Sequence, residues 1–361
     1  MIRMLATAIV AGLLAWGPAV EACTGIQLVA KDGGVVAART LEFGFDLQSN
    51  VLIVPAGTAF TGSTPDGAKG IRYETKYGMA GANAVGLPVI IDGLNDKGLY
   101  VGIFYFPSFA SYPEATRENQ SRAMAPHEYA TWLLGNFATV DEVKANFDKV
   151  VLLPVLLDAI KQAPPVHFVV HDRTGKSVVI EPIDRKLRIH DNPLGVVTNS
   201  PTFDWHMTNL RNYINLTAIN VPPVDLDGLK LAQFGQGSGM HGLPGDFSPP
   251  SRLVRAVAFT QAAPRSATAQ EAVLQAFHIL NNFDIPVGAV RDIDAHGYTV
   301  DYTLWTSASD LKNLTYYFRT FKDQSIRSVG LRAALAAANG KPKTISMDSE
   351  QPIQDVSTVF K

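Results

Sequence analysis

The chain has 361 residues, of which 47% are hydrophobic, 18% charged and 9% aromatic, the balance of a globular protein with a sizeable core. A formal net charge of −2, with no block of like charges, leaves no footprint for nucleic acid and no basic patch for a membrane surface. No repeat of about 20 to 50 residues and no long Ser-, Gly- or Pro-rich linker interrupts the chain, so one compact domain is expected.

In chain order, the first element reads as a secretory signal. Arg3 gives the positive start, Met4 to Trp16 the apolar stretch, and Val20 and Ala22 the small residues of a cleavage site. The apolar stretch is shorter than the roughly 20 residues that span a bilayer. Every later apolar run is broken by charge, Pro or Gly, so no stable membrane insertion is expected. Cleavage after Ala22 removes residues 1–22, leaves residues 23–361 as a single domain, and predicts a periplasmic or secreted protein. Cys23, the only cysteine in the chain, then becomes its first residue. An exported chain with one thiol forms no internal disulfide, so the cysteine has no obvious structural task. Two other readings stay open. A bacterial lipoprotein anchor is opposed by Val20 where Leu is usual and by Glu21 before Ala22; an inert buried thiol leaves the position unexplained.

Strand signals dominate both ends of the chain and helical signals the middle. Cys23–Ala30 and Val35–Thr40 flank Lys31-Asp32-Gly33-Gly34, a hairpin signal because Asp-Gly accepts positive φ. Ile90–Asp92 and Leu99–Phe106 read as strands around Asn95-Asp96-Lys97-Gly98. Pro126–Phe137 and Val140–Val150 read as helices, the second opened by Thr139 as N-cap with Asp141 and Glu142 in its first turn. Val166–His171, Ser177–Glu181 and Lys186–His190 form a meander leading to Leu194–Thr198. Ser248 with Pro249 and Pro250 opens a helix through Ala263, and Ala267–Asn281 forms another. Tyr298–Trp305 and Asn313–Phe321 are a late hairpin, followed by Ser325–Leu331. The pattern is α+β: two packed sheets covered by helices.

A cysteine at the N-terminus carries a nucleophile and a base on one residue. Its α-amino group, with a reference pKa of roughly 7.7–8.0, is partly neutral at neutral pH and can take the thiol proton. With Asp32-Gly33 as a two-residue turn, Glu42 lies opposite Cys23 and Arg39 opposite Ile26. Glu42 is then placed to hold the α-amino group. Arg39 falls on the face away from the thiol, and reaching it requires a bulge near Thr40 or Leu41. A cation beside the thiol would lower its pKa.

The blocks ACTGIQL, AARTLEFG, DGLNDKGLYVGIFYFPSFASY, VVTNSPTFDWHMTNLRNY and GLPGDFSPPSRLVRA occur in this order. Together they resemble the choloylglycine hydrolases and penicillin V acylases, cysteine-type N-terminal-nucleophile amidohydrolases. The likeness runs from Cys23 to about Ala256 and continues less specifically through the final strands. It implies a four-layer αββα fold, no cofactor, a small amphipathic N-acyl amide as substrate, and a homotetramer. It also implies roles: Cys23 as nucleophile, Arg39 as the arginine near the thiol, Asn199 as side-chain donor of the oxyanion hole, and Arg252 as the second active-site arginine. Tyr105 falls where bile-salt enzymes often have Asn and penicillin V acylases Tyr, and its backbone N–H is the other expected oxyanion donor. Glu42 departs from the family's usual Asp by one methylene.

The residues by themselves support these roles more softly. Asn199 ends an apolar run just before Pro201, where an amide could face a reacting carbonyl or simply cap a turn. Arg252, in the first turn of a helix, opposes the helix dipole, which points to a partner carboxylate unless it is simply solvated. Tyr105 between Phe104 and Phe106 suits a sheet core as well as a pocket. The glycine-rich Gly235–Gly245 lacks both the phosphate-loop Lys-Ser/Thr and the nucleophile-elbow spacing around Ser238, and reads as a loop. The eight histidines show no metal-ligand spacing; His127 lacks the second His of a zinc protease.

The expected activity is hydrolysis of linear N-acyl amides, with glycine- or taurine-conjugated bile salts first and penicillin V next. The enzymatic alternative is an acylase of N-acyl homoserine lactones. The non-enzymatic alternative is a lipid-anchored binding protein using the same pocket without turnover.

Overall fold

A computed structural model describes residues 22–294 and 297–358. The expected signal segment therefore lies outside the described residues, apart from Ala22. Two sheets make the centre of the molecule. The first contains β1 (Cys23–Val29), β2 (Val35–Phe43), β10 (Val290–Asp294), β11 (Gly297–Asp310), β12 (Thr315–Thr320) and β13 (Arg327–Gly330), in the order β1-β2-β11-β12-β13 with β10 paired to β11. The second contains β3 (Asn50–Val54), β4 (Met79–Ala82), β5 (Asp92–Asn95), β6 (Leu99–Tyr105), β7 (Val166–Asp172), β8 (Ser177–Ile183), β9 (Lys186–Asp191) and β14 (Lys343–Ser346). Its order is β9-β8-β7-β6-β5-β4-β3-β14.

The helices are α1 (Tyr129–Asn136), α2 (Val140–Lys144), α3 (Phe203–Asn209), α4 (Pro249–Ala262), α5 (Ala269–Leu280) and α6 (Leu331–Ala338). Ile26, Val36 and Ala38 of the first sheet pack on Leu253, Ala256, Val273 and Phe277 of α4 and α5. Leu52, Val101, Ile103 and Phe168 of the second sheet pack on Tyr129, Trp132 and Leu133 of α1. Between the sheets lie Cys23, Leu41, Ile53, Leu94, Phe104, Val179, Trp305 and Tyr316. This is the expected four-layer αββα arrangement. Eight of the nine residues of β2 are buried because both of its faces are covered, which is why VVAARTLEF does not alternate cleanly between apolar and polar.

The register of the first hairpin differs from the sequence expectation. Val29 pairs with Val35, Gly25 with Arg39 and Cys23 with Leu41. The loop is longer than the two-residue Asp-Gly turn: Ala30 N–H donates to Gly34 O at 2.8 Å, and Gly33 takes φ 78°. Three residues between the closing pair, with glycine in the left-handed position, is the turn-plus-bulge hairpin. Because strand side chains alternate, a shift of one residue changes which face each side chain occupies. Arg39 therefore lies on the same face as Cys23, and no bulge in β2 is needed. The bulge sits instead in β11, between Thr303 and Trp305, opposite Glu42 and Leu41.

Other boundaries also moved. The helix expected over Val140–Val150 ends at Lys144, and the strand expected at Ile90–Asp92 runs from Asp92 to Asn95. Leu194–Thr198 contributes only a bridge between Gly25 and Val197 rather than a strand. Gly25 makes this crossing possible, since a Cβ there would stand 2.7 Å from Phe104 Cζ and 2.9 Å from Val197 Cγ1.

Candidate active site

Cys23 opens β1 and is 4% exposed. Its backbone N–H donates to Asn199 Oδ1 at 2.7 Å, and its carbonyl accepts from Arg252 Nη1. Arg252 Nη2 donates to the same Asn199 Oδ1 at 2.7 Å, and Nη1 also donates to Thr24 Oγ1 at 3.0 Å. Two donors converging on Oδ1 fix the orientation of the amide, so its Nδ2 faces the other way and donates to Tyr105 O at 2.8 Å. In a strand the N–H and C=O of one residue point to the same side. The Tyr105 N–H is thus directed to the edge where Asn199 stands, as Ile103 N–H is directed to Ile91 O at 2.7 Å.

Arg252 occupies the first turn of α4, as the sequence indicated, but its direct partners are oxygens of Cys23, Thr24, Asn199 and Phe247 rather than a carboxylate. Burial pushes its pKa down to about 10, against the upward pull of Glu42 and Cys23. Arg39 is fully buried, donates from Nε to Thr40 O at 3.2 Å and from Nη1 to Ile103 O, and lies over the Phe104 ring at 4.1 Å. Burial alone would depress its pKa; the Cys23 sulfur, then Asp92, Tyr100 and Glu42, hold it above its ordinary value.

Glu42 is 1% exposed and sits on the opposite face of β2 from Arg39. Its backbone N–H donates to Ala22 O at 3.1 Å, so the position opposite Glu42 is residue 22 and not Cys23 as the two-residue turn implied. Its Oε1 accepts from Thr303 Oγ1 at 2.8 Å. Burial raises its pKa to about 7, partly offset by Arg252. One more buried carboxylate ties the sheets together behind the thiol: Asp92 accepts from Ser307 Oγ at 2.7 Å and Tyr316 Oη at 2.8 Å, and from the Tyr100 hydroxyl.

All six residues singled out in the sequence, Cys23, Arg39, Glu42, Tyr105, Asn199 and Arg252, thus meet at one place. A cavity opens there, lined by Cys23, Arg39, Glu42, Tyr105 and His127 and by the apolar side chains of Leu41, Phe43, Phe45, Leu47, Leu87, Ile103, Leu157, Ile160 and Val166. The Tyr105 hydroxyl accepts from Gln162 Nε2 at 2.7 Å beside it. Sequence reasoning missed Thr24, Thr303 and Asp92. Thr24 could have been found from its place next to the thiol. Thr303 gave no signal, because a strand 261 residues away brings it to Glu42. Gly235–Gly245 is a loop with one short turn at Ser238–Met240 and takes no part in this cluster. Among the described residues, no group of three His, Cys, Asp or Glu side chains could hold a metal ion, and no helix is long and apolar enough to cross a membrane.

The sequence profile of the linear amide C–N hydrolases, choloylglycine hydrolase family, matches residues 23–344. The chain is 32% identical over 311 residues to a bile salt hydrolase/transferase of Clostridium perfringens, covering 86% of this chain and 92% of that protein. It is 26% identical over 325 residues to a penicillin V acylase of Pectobacterium atrosepticum, covering 84% and 79%. A crystal structure of a variant of the conjugated bile acid hydrolase from Clostridium perfringens superposes with a TM-score of 0.82 at 30% identity, covering 92% of this chain and 100% of the other. The chain belongs to the choloylglycine hydrolase family of linear amide C–N hydrolases and has its N-terminal-nucleophile hydrolase fold.

Proposed function

We propose that this amidohydrolase works as a single domain, residues 23–361, freed by cleavage after Ala22, and that the new α-amine of Cys23 is its base. The observation that carries the reading is the double anchorage of Cys23, whose N–H and C=O are held by Asn199 and Arg252 at the edge of an apolar cavity. Before cleavage, Ala22 is buried and its carbonyl takes the Glu42 N–H. After cleavage, the α-amine of Cys23 stands beside Asn199 Oδ1, in the cavity that Glu42 also lines, and burial raises the pKa of that carboxyl to about 7.

In the reaction the amine takes the thiol proton and the Cys23 sulfur attacks the amide carbonyl. The oxyanion is met by the Asn199 amide and the Tyr105 N–H. Collapse expels the leaving amine, which receives the proton from the Cys23 ammonium, and water then releases the acyl group. Arg39, stacked on Phe104 beside the sulfur, stabilises the thiolate. Arg252 holds the Cys23 backbone and Asn199 together, and Glu42 orients the amine.

Conjugated bile salts are the first substrate class, with penicillin V next, by kinship with the relatives described above. One observation favours a second reading. The cavity walls are almost wholly apolar and offer few partners to a hydroxylated acyl group, which suits the unbranched chain of an N-acyl homoserine lactone. A turnover panel of glycocholate, taurocholate, penicillin V and a long-chain N-acyl homoserine lactone tests the assignment. Turnover of none of the four overturns it.

We place the mature enzyme in the periplasm or outside the cell. Intact mass at the N-terminus separates a free Cys23 from a diacylglyceryl anchor. A homotetramer is supported by the segment around the hairpin Val224–Leu226/Leu229–Leu231, where Ile219, Leu226, Leu229 and Phe234 are exposed.

A further inference from the structure

Behind Asn199 lies a second buried polar cluster that the mechanism above does not use. His167 on β7 places Nε2 2.9 Å from Thr198 O, and His206 on α3 places Nε2 3.0 Å from Asn199 O. Both rings are 2% exposed. A carbonyl only accepts, so in both rings Nε2 carries the hydrogen. Burial depresses the His206 pKa to about 4, which leaves that ring neutral.

The other nitrogen of His167 has a definite neighbour. Nδ1 stands 3.5 Å from Oε1 of Glu181, a carboxyl group with 0% exposure. With Nε2–H committed to Thr198 O, Nδ1 is the ring atom left facing the Glu181 carboxyl. Glu181 is itself fixed, since Oε1 accepts Phe203 N–H at 2.9 Å at the start of α3 and Oε2 lies 3.5 Å from His190 Nε2. The His167 ring has no freedom to turn away: it is stacked on Phe106 at 4.5 Å with planes 5° apart.

We infer that His167 and His206, linked through Glu181, are positioning residues for the oxyanion amide. They seize two successive carbonyls, Thr198 and Asn199, in a segment that lacks a continuous ladder and whose backbone pairs with β1 through the bridge at Val197. The direction of the Asn199 side chain is set by this clamp from behind and by Cys23 and Arg252 from in front. An amide aimed in advance stabilises developing charge without reorganising during the reaction, so loosening the clamp lowers kcat while leaving substrate binding nearly intact.

This rests on Asn199 being the oxyanion donor, and the experiment separates the two. In the mature enzyme, His206→Leu, His206→Asn and His206→Gln are compared by steady-state turnover of whichever of glycocholate or penicillin V is hydrolysed faster. Iodoacetamide alkylation of Cys23 is followed in parallel. Gln reaches as far as imidazole Nε2 and Asn does not. The expected result is a fall in kcat of about 10- to 100-fold for Leu and Asn, with KM changed less than about threefold, and recovery of most of the loss in Gln. Alkylation stays near the wild-type rate in all three. If the Leu variant does not fold, the contrast between Asn and Gln carries the same information. Wild-type kcat in the Asn variant, or equal losses in Asn and Gln, overturns the clamp. Wild-type kcat in Asn199→Ala overturns the oxyanion role itself, whatever the His206 variants do.

Discussion

Two hairpins of this molecule are built from the same kind of local signal and end in opposite environments. The first, β1–β2, carries Asp32-Gly33 at its turn and is buried between a sheet and two helices. The second, Val224–Leu226 with Leu229–Leu231, turns at Asp227-Gly228, where both residues take positive φ, and every residue of its two strands is exposed. In the first, polar groups such as Arg39, Thr24 and Glu42 are drawn inward and held by specific partners. In the second, Leu226 at 58% and Leu229 at 61% exposure meet no core. Turn chemistry therefore builds a hairpin but does not decide its use. The neighbours available to each face do.

The largest effect expected from breaking this contrast comes at the first hairpin. Cys23→Ala should abolish turnover and iodoacetamide labelling together, while Cys23→Ser keeps traces because a hydroxyl ionises far less than a thiol at neutral pH. Turnover near wild type in the Ala variant removes the mechanism. Ala22→Pro, which blocks cleavage, should give a folded protein with no turnover; full activity of that precursor contradicts the amine as base.

Next in size is Glu42. Glu42→Gln should reduce kcat by about 10²–10⁴, the range for a lost acid–base contribution, and Glu42→Asp by less. The acid limb of kcat/KM should move to lower pH in the Gln variant, because the amine then loses its proton more readily. An unmoved limb with wild-type rate makes Glu42 a structural residue.

The same carboxyl gives a pH signature in the uncleaved chain, where no amine faces it. Its pKa is raised from 4.5 to about 7 by burial. The folded state then holds this proton more tightly than the unfolded state, so stability falls as pH rises from about 4.5 to about 7. Thermal melts of the uncleaved Ala22→Pro protein with and without Glu42→Gln should differ in this slope, the Gln variant lacking this component of the decline. Parallel slopes contradict a Glu42 pKa raised by burial.

The smallest effect on chemistry is expected at the second hairpin. Leu226→Ser with Leu229→Ser should shift the assembly toward smaller species in light scattering and change kcat less than about threefold. An unaltered mass would show that this hairpin does not hold subunits together.

The sequence by itself determined which groups are present and in which blocks they arrive. The single Cys23 and the order of the motifs were read directly, and the helix signals at Thr139 and Ser248–Pro250 and the first hairpin were legible because they rest on capping and turn preference. The six candidate residues were named from the sequence, chiefly through the family resemblance, and the structure brings all six together. What local signals did not decide was the facing of the first hairpin. One residue of loop length separates Arg39 on the thiol's side from Arg39 on the far side, and Asp32-Gly33 is compatible with both. The fit of Gly25 under Phe104 and the β11 bulge beside Glu42 accompany the register that is adopted. Partners remote in sequence were equally hidden. Thr303 reaches Glu42, Ser307 and Tyr316 reach Asp92, and His167 reaches Thr198 only after the sheets have packed. A buried hydrogen bond between distant strands leaves no periodic trace in either strand, so tertiary structure alone selects it.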